Sequence, residues 1–222
     1  MKKRLIFTML CVVSMLCVHA RSMSEIWASL PSSLIPYLDQ AHRMQMMQYV
    51  KMGLRGDVDH SLAGKSVMDT LTTDYIHLTL NESVVMELKR LPQSGTDSLL
   101  CVVTTWKGPS EESTVRFFSQ DWQALNLSHA FGEKEIADLA DEMMLKPDTM
   151  DAKRFAELRS MVDPMMVSVR LSPDNDQMHM RLSVPLLCAK DKKAVDAITH
   201  ELVFLWNGDV FQQQGRGRHP QQ

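Results

Sequence analysis

Hydrophobic and polar positions change period several times along the chain, and the clearest change lies between Ser98 and Trp122. Leu99 to Val103 is an unbroken apolar run, which predicts a central strand covered on both faces, with Cys101 buried. Lys107-Gly-Pro-Ser-Glu-Glu112 breaks it and forms the exposed tip. Thr114 and Arg116 then alternate with Val115 and Phe117, as in a partner strand. Upstream, Tyr75, His77 and Thr79 alternate with Ile76, Leu78 and Leu80 in a strand over Leu71–Leu80. A turn at Asn81-Glu-Ser83 leads to a strand over Val84–Leu91, with Val84, Met86 and Leu88 inward and Val85, Glu87 and Lys89 outward. Four strands on such short connections predict an antiparallel meander.

Helical spacing precedes the meander. Asp39 is placed to cap a helix over Gln40–Met52, Met44, Met47 and Val50 recur on one side, and Gly53 stops it. Arg55–Met68, polar and glycine-containing, reads as loop. In the second half, helices are expected over Gly132–Met144, Ala152–Val162 and Asp191–Thr199. Strands are expected over Met165–Leu171, Gln177–Val184 and Leu202–Trp206, with Asn207-Gly208 turning into Asp209-Val-Phe211. Gln212–Gln222 holds no apolar residue and is expected to be disordered. The fold class is therefore α+β: antiparallel sheets with helices packed on one face. One helix-plus-four-strand module would span 21–130 and a second α+β module 131–211. Two diverged copies of one plan, or two halves built from common parts, account equally for the shared order.

Residues 1–20 stand apart from this pattern. Lys2, Lys3 and Arg4 precede an uncharged stretch from Leu5 to Val18, and Val18-His-Ala20 offers a signal-peptidase site with cleavage between Ala20 and Arg21. The stretch is short for a membrane span, so no stable span is expected after cleavage. Export to the periplasm or beyond is the expectation.

Composition narrows the partners. Taking Lys2, Lys3 and Arg4 from the 24 basic residues leaves 21 against 27 acidic ones, a balance of −6. A mildly acidic chain without a basic cluster argues against nucleic acid. An envelope protein or glycan is the expected partner. With 45% hydrophobic residues the chain can build a core, and its 18 methionines, spread over the whole length, suit gap-filling within it. Cys101 and Cys188 remain after cleavage. They can bridge in an oxidising compartment, though their apolar settings favour two buried thiols.

Candidate chemistry is sparse. No glycine pattern forms a phosphate-cradling loop and no G-x-S-x-G elbow occurs, so neither a cofactor nor a catalytic residue is nominated. Asp57, Asp59 and His60 form the best metal candidate, but Leu62 and Met68 stand where an EF-hand needs glycine and glutamate, and a solvated loop explains them better. Arg55-Gly-Asp57 spells an adhesion tripeptide too short to carry weight. Asp174-Asn-Asp176 suits a hairpin turn. Trp106, Trp122 and Trp206 could form an aromatic contact surface or close the sheet layers, the latter being commoner.

Pro36-Tyr-Leu-Asp39 with Arg43, Leu71-Thr-Thr-Asp-Tyr75, Gly108-Pro109, Ser113-x-Val-x-Phe-Phe118, Asp121-Trp122 and Trp206-Asn-Gly-Asp-Val-Phe211 together carry a resemblance. The chain resembles an uncharacterised family of exported proteins of anaerobic Gram-negative bacteria, a domain of unknown function. The resemblance implies envelope residence and an α+β build, and supplies no activity. The leading expectation is a non-enzymatic binding or accessory module. Its competitor is a hydrolase of glycan or peptide whose carboxylates are gathered only by the fold.

Overall fold

The computed structural model describes residues 21–62, 64–95, 97–184 and 187–217. The leader expected over residues 1–20, with Ala20 of the expected cleavage junction, and residues 218–222 lie outside them. Among the described residues the chain forms five helices and two antiparallel sheets in an α+β arrangement.

Two helices lead. In α1 (Met23–Ala28), Ser22 and Glu25 form a reciprocal capping box that satisfies the first free amides, and Met23, Ile26 and Trp27 are buried. Asp39 caps α2 (Gln40–Lys51) by accepting from the His42 amide at 2.9 Å, and Gly53, at φ +73°, ends it. The buried face of α2 is Arg43, Met46 and Met47, rotated from the expected Met44–Met47–Val50 stripe. Arg43 sits inside because its guanidinium donates to the Leu38 carbonyl at 2.6 Å, tying the helix to the chain that enters it.

Seven strands follow as one meander: β1 (Gly56–His60), β2 (Gly64–Leu71), β3 (Tyr75–Asn81), β4 (Val84–Pro92), β5 (Ser98–Lys107), β6 (Glu111–Ser119) and β7 (Ala124–Leu125). The first two replace the loop expected over Arg55–Met68. Their inward positions include Gly56 and His60, so hydrophobicity hides the alternation. A Cβ on Gly56 would stand 2.8 Å from the Met46 carbonyl oxygen, so glycine is what lets β1 lie this close under α2.

One face of the seven-stranded sheet, with Ile76, Leu78, Met86, Leu88, Leu100 and Val102, packs on α1 and α2. Trp122 closes this core. It is held at φ +61° in the turn after β6, and its Nε1 donates to the Ile26 carbonyl at 2.9 Å. The opposite face is covered as well. Val85, Glu87 and Lys89, expected to point outward, are buried beneath the second sheet, which runs in the order β11–β10–β9–β8. Its strands are β8 (Met166–Leu171), β9 (Gln177–Ser183), β10 (Glu201–Trp206) and β11 (Phe211–Gly217).

The ladder between β10 and β11 corrects the expected disorder over Gln212–Gly217. Main-chain pairing needs no apolar side chain, which is why composition missed it. Leu99, Cys101, Val103 and Phe117 of the first sheet share one core with Val169, Met178, Met180, Leu202, Phe204 and Trp206 of the second. Cys101, fully buried, lies mid-strand as the apolar run required. Helix α3 (Ile136–Glu142) borders this core, while α4 (Ala152–Ser160) and α5 (Ala189–Asp196) lie beside a smaller cluster around Leu158, Val162, Val195 and Ile198. Among the described residues no helix is long and apolar enough to cross a membrane.

Candidate functional site

At the tip of the hairpin between β5 and β6, the chain leaving α4 comes up against Trp106, Pro109 and Glu112. Between them lies a cleft of about 540 Å³, with Trp106, Pro109, Met161, Pro164, Met166 and Leu187 as its apolar lining. Trp106 is 44% exposed, unusual for the largest side chain in a protein with so few aromatics. Met161 caps the end of α4, and the Asp163–Pro164 peptide between that helix and β8 is cis. The polar groups of the lining are Ser110, Glu112 and Asp163.

The tip is anchored, so the cleft has a fixed wall. The Ser110 and Ser183 hydroxyls lie 2.7 Å apart, and the Glu111 amide donates to Ser183 Oγ at 2.6 Å. The Glu111 carboxylate accepts from the Ser168 hydroxyl at 2.8 Å and from Arg170 at 3.1 Å. Burial pushes this carboxyl up, but Ser168, Arg170 and Arg181 together outweigh burial and hold it below the ordinary value. Of the expected exposed tip, Lys107–Pro109 and Glu112 are exposed, while Ser110 and Glu111 are tied down.

A second concavity of about 340 Å³ lies where β7 ends, lined by Val115, Arg116, Phe117, Leu125, Leu127, Phe131 and Ile136 among others. A buried polar seam lies between β4 and β8. The Tyr75 hydroxyl donates to Glu87 Oε1 at 2.7 Å, and the ammonium of Lys89 lies 2.8 Å from Asp74 and donates to the Pro173 carbonyl at 3.3 Å. Burial raises the Glu87 carboxyl, and burial with the neighbouring Glu87 charge raises the Tyr75 phenol. These groups bind β8 to the first sheet, so their burial has a structural cause.

The fold separates most of the residues singled out from sequence. Asp57 and Asp59 point outward from β1 beside Lys65, at 3.4 and 3.9 Å, whereas His60 turns inward against the Tyr37 ring, 4.8 Å between centroids. Alternation along a strand puts the two carboxylates and the imidazole on opposite faces, so they do not converge. Among the described residues no group of three or more His, Cys, Asp and Glu side chains could hold a metal ion. Arg55-Gly-Asp57 runs into the β1–β2 ladder rather than a loop.

Cys101 and Cys188 are both free, the first buried and the second exposed at the start of α5. The exposure of Cys188 corrects the expectation of two buried thiols. Trp122 and Trp206 belong to different cores, so of the three tryptophans only Trp106 offers a surface. Arg21 is seated on the far end of the hairpin, 2.7 Å from Asp121.

Met161, Pro164, Met166 and Leu187 were not singled out from the sequence, because they come from a helix end, a turn, a strand start and a connection. Asp69 escaped notice too. It sits at an irregularity in the β2–β3 pairing and contacts His77 Nδ1 at 2.8 Å. A family model described as "Protein of unknown function (DUF3256)" matches residues 15–211. The chain is also similar to a solved structure described as a domain of an uncharacterized protein from Porphyromonas gingivalis W83. The TM-score is 0.70 at 20% identity over 89% of this chain and 100% of that one, a likeness of fold. No curated protein matched.

Proposed function

For this chain, which belongs to the DUF3256 family of proteins of unknown function, we propose a role as an exported, non-enzymatic binding module of the bacterial envelope, with the Trp106 cleft as its ligand seat. Export rests on the basic start, the uncharged run and the small residues before Arg21. The observation that carries the binding role is Trp106 standing half-exposed over an apolar cleft whose wall is pinned by Ser110, Ser183 and Glu111. A rigid aromatic beside Met, Leu and Pro gains affinity by burying apolar area at little entropic cost. Glu112 and Asp163 in the same lining favour a ligand that offers N–H groups or positive charge beside its apolar part. Among the described residues that line the cleft, the one hydroxyl, Ser110, is engaged with Ser183 and none is a histidine, which favours binding over hydrolysis.

The test pairs cell fractionation with peptide and glycan arrays probed by wild type and Trp106→Ala. Envelope residence and one ligand class lost in the variant are expected. A cytoplasmic protein, or a ligand indifferent to Trp106, refutes the proposal.

A further inference from the structure

Trp106 and Glu112 stand opposite each other in the ladder between β5 and β6, whose pairing runs without a shift from Ser119 to Glu111. Residues paired in this way share a face of the sheet, with Cα atoms about 5.5 Å apart where they exchange hydrogen bonds. Both line the same cleft, and Asp163 brings a second carboxylate to it. Among the described residues that line the cleft none is lysine, arginine or histidine.

The side chains of Glu112 and Asp163 have neither a hydrogen-bond nor an ion-pair partner among the described residues. Glu111 differs, because its carboxylate is taken by Ser168 and Arg170, with Arg181 at 3.8 Å. Other cations of the hairpin are directed elsewhere. Arg116 shares the face of Glu112 but stands four residues on, about 13 Å along the strand, and lies over the Phe118 ring at 5.6 Å. Lys107 follows Trp106 in β5, so alternation sends it to the opposite face. The cleft therefore holds an accessible indole beside a carboxylate that the protein itself does not neutralise.

Resting on the reading of the Trp106 cleft as a ligand seat, we infer that the ligand is a peptide segment whose arginine side chain lies on the Trp106 ring with its guanidinium paired to Glu112, while an adjacent apolar side chain packs against Met161 and Met166. A guanidinium is planar and weakly hydrated, so it stacks on an aromatic face and still presents its N–H fork to a carboxylate. An ammonium is a compact, strongly hydrated charge and serves the two partners less well. Asp163 adds attraction for the same charge. At about 540 Å³ the cleft has room for more than one side chain, and the rest of its lining is mostly Met, Leu and Pro. An apolar residue beside the arginine fills that part.

A glycan is the poorer occupant. Trp106 offers a face to a sugar ring, but hydroxyls set against Met161, Met166 and Leu187 would lose water without gaining partners. The Ser110 hydroxyl is already engaged with Ser183.

The test uses the capped pentapeptide Gly-Leu-Arg-Leu-Gly and versions with lysine or citrulline in place of arginine. Citrulline keeps the stem and loses the charge. Chemical-shift titration of the purified protein at low ionic strength should give a Kd of about 1 mM or tighter for the arginine peptide. The citrulline peptide should bind at least about tenfold more weakly, and the lysine peptide at least about threefold. Glu112→Gln, isosteric and at an exposed position, should cut the arginine-over-citrulline ratio at least about threefold. Glu133→Gln, exposed and outside the cleft, should leave that ratio unchanged. No binding at about 1 mM, equal affinity for the arginine peptide and either replacement, or an equal effect of the two glutamate variants overturns the inference. If the arrays yield a Trp106-dependent ligand without positive charge, a neutral glycan included, the inference falls and the cleft reading stands. If the arginine preference survives Trp106→Ala, the cleft reading falls and the inference with it.

Discussion

Val169 in β8 donates its backbone N–H to the hydroxyl of Ser113 in β6 at 2.9 Å, although the two residues belong to different sheets. β8 is an edge strand of the second sheet, and its free edge lies against the first. The Leu171 amide reaches Glu87 Oε1 at 3.4 Å, and the Pro173 carbonyl accepts from Lys89. An edge buried in this way would leave main-chain groups without partners, so side chains of the first sheet stand in for a neighbouring strand.

Ser113→Ala should therefore cost about 2 kcal/mol, since it strands a buried amide and removes the Thr105 hydroxyl's partner at 2.8 Å. Thr114→Ala, on the exposed side of the same strand, should change stability by less than about 0.5 kcal/mol. Urea unfolding of the two variants makes the comparison, and equal losses would refute the stand-in role.

Glu87 should give stability a pH dependence of unusual sign. Burial raises its carboxyl above the ordinary value of 4.5, and hydrogen bonds from Tyr75 and Leu171 only partly oppose this. The folded state thus holds the proton more tightly than the unfolded chain. This contribution to stability is fully present below the unfolded pKa and is lost as pH rises through the folded one. Unfolding midpoints of wild type and Glu87→Gln across pH 4 to 8 should differ in slope, the variant losing the decline. Parallel curves would contradict this.

The Lys89–Asp74 pair should respond unequally to the loss of either partner. Lys89 is 1% exposed, whereas the Asp74 side chain is 36% exposed. Asp74→Ala leaves a buried ammonium with the Pro173 carbonyl and should cost on the order of 3 kcal/mol. Lys89→Met leaves a carboxylate that water can reach, and should cost less. Thermal unfolding of both variants decides the order.

The two thiols of the described residues should differ sharply in reactivity. Cys188 is exposed and its thiol donates to Asp191 at 3.2 Å; Cys101 is fully buried, and burial raises its thiol far above the ordinary value. A thiol reagent added to folded protein should label Cys188 alone, and Cys101 only after denaturant. Mass spectrometry of the peptides reads the outcome, and a Cys101–Cys188 bridge would leave both unlabelled.

Where a strand keeps a consistent apolar face, its pattern was legible in the chain. Ile76, Leu78 and Leu80 announce β3, Leu99 to Val103 announces a strand covered on both sides, and Asp39 and Gly53 mark the ends of α2. Strands β1 and β11 were hidden because pairing is a property of the main chain, and neither Gly56-Asp-Val-Asp-His60 nor Phe211-Gln-Gln-Gln-Gly215 presents an apolar face. In β4 the alternation of Glu87 and Lys89 with Leu88 was visible, and only its meaning was lost. Polar residues normally face water, and here they face a second sheet that arrives some eighty residues later.

By itself, then, the sequence determined the local elements, because period, caps and turns depend on neighbours a few residues apart. It also set out the leader-like start as an expectation. Tertiary structure alone decided that Asp57 and His60 diverge, that two tryptophans are core and that Trp106 is not. It also brought Met161, Pro164, Met166 and Leu187 to the hairpin tip. A site assembled from residues more than fifty positions apart leaves no period to read, since what brings them together is the burial of the sheet faces beneath them.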